Sequence, residues 1–427
     1  MIFAYRVLTT LLYPFLFIII YFRVALKKED PKRFREKILV SHFNVKDKKD
    51  SKLIWFHAAS IGELKSIIPI IYQLDFNHDN LKFLVSTTTL SSGNLAKVEF
   101  QKYKNIEHRY FPFDIPFLID KFINLWKPDK IFLVDSEIWP NLIFKAKKYN
   151  VSLALINARL TAKSFNRWIS FPNVAKIIFK KFDLVLCSNK ETEGFMREFE
   201  VRNTHMKGNI KLVNSINEKE LKNVNEKILS KRRFWFAAST HQEEDIFCIK
   251  THQKLKEKFN NVITVIAPRH IERVEKIKSV CEKFNLKTQI LNKNDVILEN
   301  KEFIIIKYFG FLPSYFKYAK SVFIGKSMNK KYKNDGGQNP IDAAKLNCKI
   351  YHGPFVYNFE EIYEILKKNN ISKKINNFLE LSENLIKDLE SFNKKNNQIS
   401  NQIKSLEQRT LTETMKLVNN FIINDVN

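Results

Sequence analysis

Trp55-Phe56-His57-Ala58-Ala59-Ser60-Ile61-Gly62-Glu63 runs from an apolar, β-prone stretch through small residues into a helix start, which places Glu63 at the C-terminal end of a strand. Asp135-Ser136-Glu137-Ile138-Trp139-Pro140-Asn141 follows the β-prone run Lys130 to Val134 in the same way. Open parallel sheets keep their ligand crevice at strand C-terminal ends, so both glutamates are expected on such a rim. The first stretch nearly recurs half a chain later as Trp235-Phe236-Ala237-Ala238-Ser239-Thr240-His241-Gln242-Glu243. That self-similarity predicts two α/β domains, each opening on a unit of strand, loop and helix, with the site between them. A purely structural reading also fits: Ser60 with Glu63, and Thr240 with Glu243, have capping-box spacing. Gly62 speaks for more than a cap, because glycine in a first helical turn is unfavourable unless something must approach the backbone closely.

Outward from these motifs, Lys52 to Ala58, Leu81 to Ser86, Lys130 to Val134, Ser152 to Ile156 and Leu184 to Cys187 read as strands alternating with helices. A second series comprises Arg233 to Ala238, Val262 to Ala267, Phe303 to Lys307, Ser321 to Ile324 and Lys349 to Tyr351. The expected organisation is an N-terminal domain over 29–211, a polar passage over 212–232, a second domain over 233–380 and closing helices over 381–427.

Residues 1–28 differ. From Val7 to Phe22 nothing is charged, and with Ile2 to Tyr5 the run approaches the roughly 20 residues of a bilayer span. Arg23, Lys27, Lys28, Lys32, Arg33, Arg35 and Lys37 follow, so the positive-inside rule leaves the body in the cytoplasm and the segment as an N-terminal membrane anchor. All the motifs lie downstream, which predicts that the anchor can be removed without destroying the body. The 72 basic side chains against 45 acidic ones give +27, a balance suited to anionic lipid or a phosphorylated substrate. Basic runs are short and no zinc-finger spacing occurs, so nucleic acid is not expected as a partner. Cys187, Cys248, Cys281 and Cys348 are too scattered for a metal knuckle or a disulfide framework.

The second domain offers an anion site. Gly336-Gly337-Gln338-Asn339-Pro340-Ile341-Asp342 combines glycines for close approach, Asn339 as a cap and Pro340 at the first helical position. Free N–H groups at such a helix start suit a phosphate, and Arg269 in Ala267-Pro268-Arg269-His270 adds a cation at another strand end. A metal reading would use Asp135 with Glu137 as ligands on one face of a strand. The cationic groups make it unnecessary, and neither metal nor cofactor is expected.

His57-Ala58-Ala59-Ser60-Ile61-Gly62-Glu63, Ser86-Thr87-Thr88-Thr89, Phe111-Pro112-Phe113-Asp114, Ser136-Glu137-Ile138-Trp139-Pro140-Asn141, Ile156-Asn157-Ala158-Arg159-Leu160, Gly208-Asn209-Ile210-Lys211, Pro268-Arg269-His270 and Asn339-Pro340-Ile341-Asp342 resemble, in order, the motifs of the Kdo (3-deoxy-D-manno-oct-2-ulosonic acid) transferases. The resemblance implies a GT-B architecture, in which two Rossmann-like domains face across a cleft, with acceptor on the first and nucleotide donor on the second. It implies an inverting transfer from CMP-Kdo onto lipid A precursor at the inner membrane, with anionic lipids as surroundings. By the same resemblance Glu63 is the general base, and Glu137 and Lys211 stabilise the transition state. CMP is expected against Pro268, Arg269, Phe309, Gly310, Phe311, Leu312, Asn339, Pro340, Ile341 and Asp342. The chain departs from the family at Phe311, usually an acid, at Asp342, usually Glu, and at Glu243, usually Gly. Those departures keep open a GT-B enzyme using another nucleotide sugar. A noncatalytic anionic-lipid-binding protein is the reading from a different class.

Overall fold

The computed structural model describes residues 1–43, 51–213, 216–308, 310–390 and 398–423. Phe309 lies outside the described residues, as do 214–215 of the expected passage and 391–397 and 424–427 of the expected closing segment. The chain divides into two compact units, Met1–Asn214 with Glu407–Asn427, and Ser215–Leu406.

The first unit is built on a seven-stranded, all-parallel sheet: β1 (Lys52–His57), β2 (Leu81–Thr87), β3 (Ile106–Tyr110), β4 (Lys130–Val134), β5 (Ser152–Ala158), β6 (Leu184–Cys187) and β7 (Thr204–Met206), in the order β3-β2-β1-β4-β5-β6-β7. The second repeats the plan with β8 (Arg233–Thr240), β9 (Val262–Pro268), β10 (Thr288–Leu291), β11 (Phe303–Ile306), β12 (Ser321–Ile324), β13 (Lys349–His352) and β14 (Ser372–Lys374), ordered β10-β11-β9-β8-β12-β13-β14. Two Rossmann-like units of parallel sheet are thus present, as expected, each with helical crossovers. Central strands are apolar on both faces because helices cover both; Leu53 through His57 are all buried. The strands beyond the sequence expectation, β3, β7, β10 and β14, are short and carry polar residues such as Glu107 and Arg109. At or near a sheet edge only part of a strand needs to be apolar.

The topology fixes where chemistry can sit. Strand order reverses beside β1 and again beside β8, so β1 pairs with both β2 and β4, and β8 with both β9 and β12. The crevice of the first unit therefore opens between the ends of β1 and β4, which lead into Glu63 and Glu137.

The apolar N-terminal segment forms one helix, Ile2–Ala25, long and apolar enough to cross a membrane. It belongs to the first unit, where Ile20 is fully buried against Phe34 and Ile38. The Gln398–Ile423 helix brings Met415, Val418, Phe421 and Ile422 into the core beside β1 and β4.

Candidate active site

In the first unit, Ser60 caps the Ile61–Asn77 helix and accepts from the Glu63 N–H at 3.4 Å. The Glu63 carboxylate accepts from the Ala59 N–H and the Ser60 hydroxyl, each at 2.8 Å. Capping and proximity to other acids coexist: burial first, then the negative charges of Asp135 and Glu137, push the Glu63 pKa up against those two hydrogen bonds. A Cβ added at Gly62 would meet nothing within 4 Å, so the fold does not require glycine there.

Glu137 takes a different set of partners. Its Oε2 accepts from Trp139 Nε1 at 2.8 Å and lies 3.2 Å from His57 Nε2. His57 is fully buried and stacks on Phe111 at 4.0 Å, while its Nδ1 lies 3.0 Å from Ser86 Oγ. Trp55 Nε1 donates to the same hydroxyl at 2.8 Å. With the imidazole proton on Nε2, one direction of donation runs from Trp55 through Ser86 and His57 to Glu137. The loop is also held from behind, where the Asp114 carboxylate accepts from the Asn141 and Leu142 N–H groups, each at 2.9 Å, at the start of the Pro140–Lys148 helix. Burial raises the Asp114 pKa to about 6.

Asp135 follows β4 with φ +57°, a left-handed turn that takes it off the strand. Its carboxylate pairs with the Lys211 ammonium and accepts from Asn157 Nδ2, and Asn157 Oδ1 accepts from the Ile210 N–H at 3.0 Å. Gly208, at φ +87°, supplies the turn that presents Ile210 and Lys211. Asp135 and Glu137 therefore do not share a strand face. They diverge to separate partners, contrary to the geometry on which a metal reading would rest. Glu63, Glu137 and Lys211 are brought together around Asp135.

The second unit reuses the capping position differently. The buried acid is Glu244, not Glu243: its oxygens accept from the N–H groups of His241, Lys326, Ser327 and Met328 at 2.8 to 3.1 Å. Glu243 holds the N-cap of the Glu244–Lys258 helix at φ +77°, a left-handed conformation that favours glycine. Saturated by four backbone donors, Glu244 fastens the β8 end to the loop after β12. Arg269 is exposed just after β9, its N–H donating to Thr240 O at 3.0 Å, and Pro268 is buried. His241 is half-buried, and burial with the charges of His270, Lys326, Arg273 and Arg269 pushes its pKa down to about 4. Its buried Nε2 has no hydrogen-bond partner among the described residues. This strand-end rim is suited to an anion.

The remaining donor-side residues follow two short helices that pack on each other, Leu312–Phe316 and Ile341–Lys345. Gly310, at φ +84°, and Phe311 line a cavity of about 320 Å³, with Phe311 4.4 Å from the Tyr308 ring. Leu312 is half-buried. Exposed Asn339 accepts from the Ile341 N–H at 2.9 Å, but from one residue before the helix N-cap and not from the cap position expected of it. Pro340, however, holds the N-cap position rather than the first helical one, and is buried with Ile341, while Asp342 is half-buried. With five residues this helix has little dipole, and its contribution to an anion would be its free N–H groups. Ser86, His57 and His241 stand in the quoted motifs but were given no role from the sequence. The polar residues ending apolar strands in Trp55-Phe56-His57 and Val85-Ser86 were the available signal. Among the described residues no group of three or more His, Cys, Asp or Glu could hold a metal ion.

Two seven-stranded Rossmann-like units, one with acids and the other with cations at its switch point, have the GT-B fold. A UDP-GlcNAc 2-epimerase from Neisseria meningitidis bound to UDP-GlcNAc shares the fold with TM-score 0.59 at 11% identity, over 87% of this chain and 100% of that one. Residues 32–214 match the family model described as 3-deoxy-D-manno-octulosonic-acid transferase (kdotransferase). The Rickettsia bellii 3-deoxy-D-manno-octulosonic acid transferase is 29% identical over 98% of this chain and 99% of its own length. That of Haemophilus influenzae is 29% identical over 73% of each. The family match thus covers the first unit, and the similarity to curated Kdo transferases runs over nearly the whole chain.

Proposed function

We propose that the chain transfers Kdo from CMP-Kdo to a hydroxyl of lipid A precursor, with inversion, at the cytoplasmic face of the inner membrane. The observation that carries the reading is the Glu63 carboxylate, fixed at the β1 end by two hydrogen bonds and made more basic by burial and by Asp135 and Glu137. Glu63 takes the acceptor proton as the oxygen bonds to the anomeric carbon, and the bond from that carbon to the CMP phosphate breaks with its electron pair. Arg269 and the cations around His241 oppose the charge that develops on the leaving phosphate. Lys211 acts from its pairing with Asp135, keeping a positive charge beside the acids. Glu137, held by Trp139 and His57, supplies negative charge to a sugar that becomes electron-poor as its bond breaks. In this reading Pro268, Arg269, Gly310, Phe311, Leu312, Asn339, Pro340, Ile341 and Asp342, with Phe309, receive CMP, and the Tyr308–Phe311 ring pair offers the base a stacking surface.

Mass spectrometry of lipid A precursor incubated with CMP-Kdo and the protein tests donor and acceptor together. Addition of Kdo is expected, and its loss in Glu63→Gln. Transfer from UDP-hexoses with none from CMP-Kdo would overturn the donor assignment.

A further inference from the structure

We propose that the Ile2–Ala25 helix holds the protein to the bilayer by lying along its surface, one side on the first unit and the other in lipid, rather than by crossing. The proposal rests on reading this helix as a membrane anchor and specifies how it is inserted. Tyr5, Thr9, Tyr13, Phe17, Ile20 and Val24 recur at intervals of three or four and so share one face. That face is docked along its length. Tyr5 Oη donates to Asp114 Oδ2 at 3.0 Å, Asn141 Nδ2 donates to Thr9 Oγ1 at 3.4 Å, and Tyr13 Oη donates to Ile38 O at 2.6 Å. Phe17 and Val24 close over the buried cluster of Ile20, Phe34 and Ile38, and Arg23 pairs with Glu29 at 2.7 Å. From Tyr5 to Val24 the docked stretch measures about 28 Å at 1.5 Å per residue, close to the ~30 Å of a hydrocarbon core. Crossing with these contacts intact would carry Asp114 and the buried Lys37–Glu29 pair to bilayer depth, where charged groups are strongly disfavoured.

The other side of the helix inverts the usual polarity of a surface helix. Phe3, Leu8, Leu11, Phe15, Ile18 and Phe22 are each more than half exposed. Polar groups are turned inward instead: Arg6 lies over the Phe144 ring at 5.4 Å, and the outward Thr10 hydroxyl is satisfied by Arg6 O at 2.8 Å. Up to Phe22 the outward face carries no charge, which suits hydrocarbon and not water. Exposed Lys27, Lys28, Lys32 and Arg35 follow directly, a basic border matched to anionic headgroups. Apolar face, basic border and lengthwise docking together describe a monotopic insertion into one leaflet.

Depth measurement tests this on the full chain. Cysteines introduced singly as Leu8→Cys, Phe15→Cys and Phe22→Cys lie on the outward face, while the four native thiols are buried. With nitroxide labels, on vesicles of phosphatidylethanolamine and phosphatidylglycerol, all three positions are expected at one shallow depth, within about 5 Å of each other and roughly 5–10 Å below the headgroups. A crossing helix would instead spread Leu8 and Phe22 by about 20 Å, with Phe15 deepest, and that result overturns the proposal. Labels that stay out of lipid while the protein sediments with vesicles would also overturn it, showing that another surface binds. Labels shielded in a particle of doubled mass would assign the face to a second copy. Failure to bind vesicles at all would remove the anchor reading on which the proposal depends.

Discussion

Replacing Lys211 by alanine separates a structural cation from a catalytic one. The Lys211 ammonium pairs with an Asp135 carboxylate that is only 12% exposed, and Asn157 is the other side chain bonded to it. Two charges 4 Å apart interact by about 4 kcal/mol at an effective dielectric constant of 20. Breaking a buried pair costs about 3–5 kcal/mol and an exposed one under about 1. With Lys211 itself 20% exposed, the expected loss is about 2–3 kcal/mol. In a unit of this size that lowers the melting temperature by roughly 4–12 °C. Calorimetry of Lys211→Ala, Asp135→Asn and the double variant measures the coupling directly. The double variant should recover most of the stability, because no charge is then left unpaired. Its transfer activity should stay low if Lys211 acts on the reacting groups. A Lys211→Ala protein as stable as the parent would refute the electrostatic reasoning. A double variant that regains both stability and turnover would refute the transition-state role and leave Lys211 as a positioning residue.

Glu63→Gln should lower turnover by about 10²-fold or more while leaving CMP affinity unchanged, measured by calorimetric titration; parental turnover would leave Glu63 as a cap only. Because the folded-state Glu63 pKa is raised, its protonated form adds stability below the ordinary carboxylate range, and that contribution is lost as pH rises through the raised value. Turnover needs the ionised form, so the acid limb of the rate profile should lie above the usual carboxylate range and move to lower pH in Asp135→Asn; an unmoved limb would show that Asp135 does not set Glu63. Gly62→Ala should fold and gain up to about 1 kcal/mol in helix propensity yet lose transfer, a combination that kinetics and urea melts detect; full activity would show that no substrate approaches there. Ile20→Ala should destabilise the first unit by about 2–5 kcal/mol, since its side chain is fully buried; an unchanged urea midpoint would mean that the helix is not docked.

The apolar runs that became β1, β4, β8 and β12 were legible because buried strands of a parallel sheet are apolar on both faces, a property written locally in composition. The glutamates after β1 and β4 were legible for the same reason, as polar residues closing an apolar run. In the second unit the recurrence pointed to Glu243. Backbone conformation gave the role to Glu244, because Glu243 turns left-handed to start the helix and leaves its neighbour facing the β12 loop. The strand β3 went unread, since Ile106-Glu107-His108-Arg109-Tyr110 buries only its first and last residues.

Sequence alone determined the motifs and, through them, the resemblance to Kdo transferases and both Rossmann-like units, since all but the Asn339–Asp342 motif lie within a few residues of a strand end. It also recorded that residues 7 to 22 carry no charge and are largely apolar. Tertiary structure decided that Asp135 sits between Glu63 and Lys211, that a buried His57 supports Glu137, and which face of the N-terminal helix meets protein. The physical reason is that composition and periodicity report a residue's own burial and backbone state. Which side chains meet depends on strand order, and β1 comes to lie beside β4 only when the whole sheet has assembled.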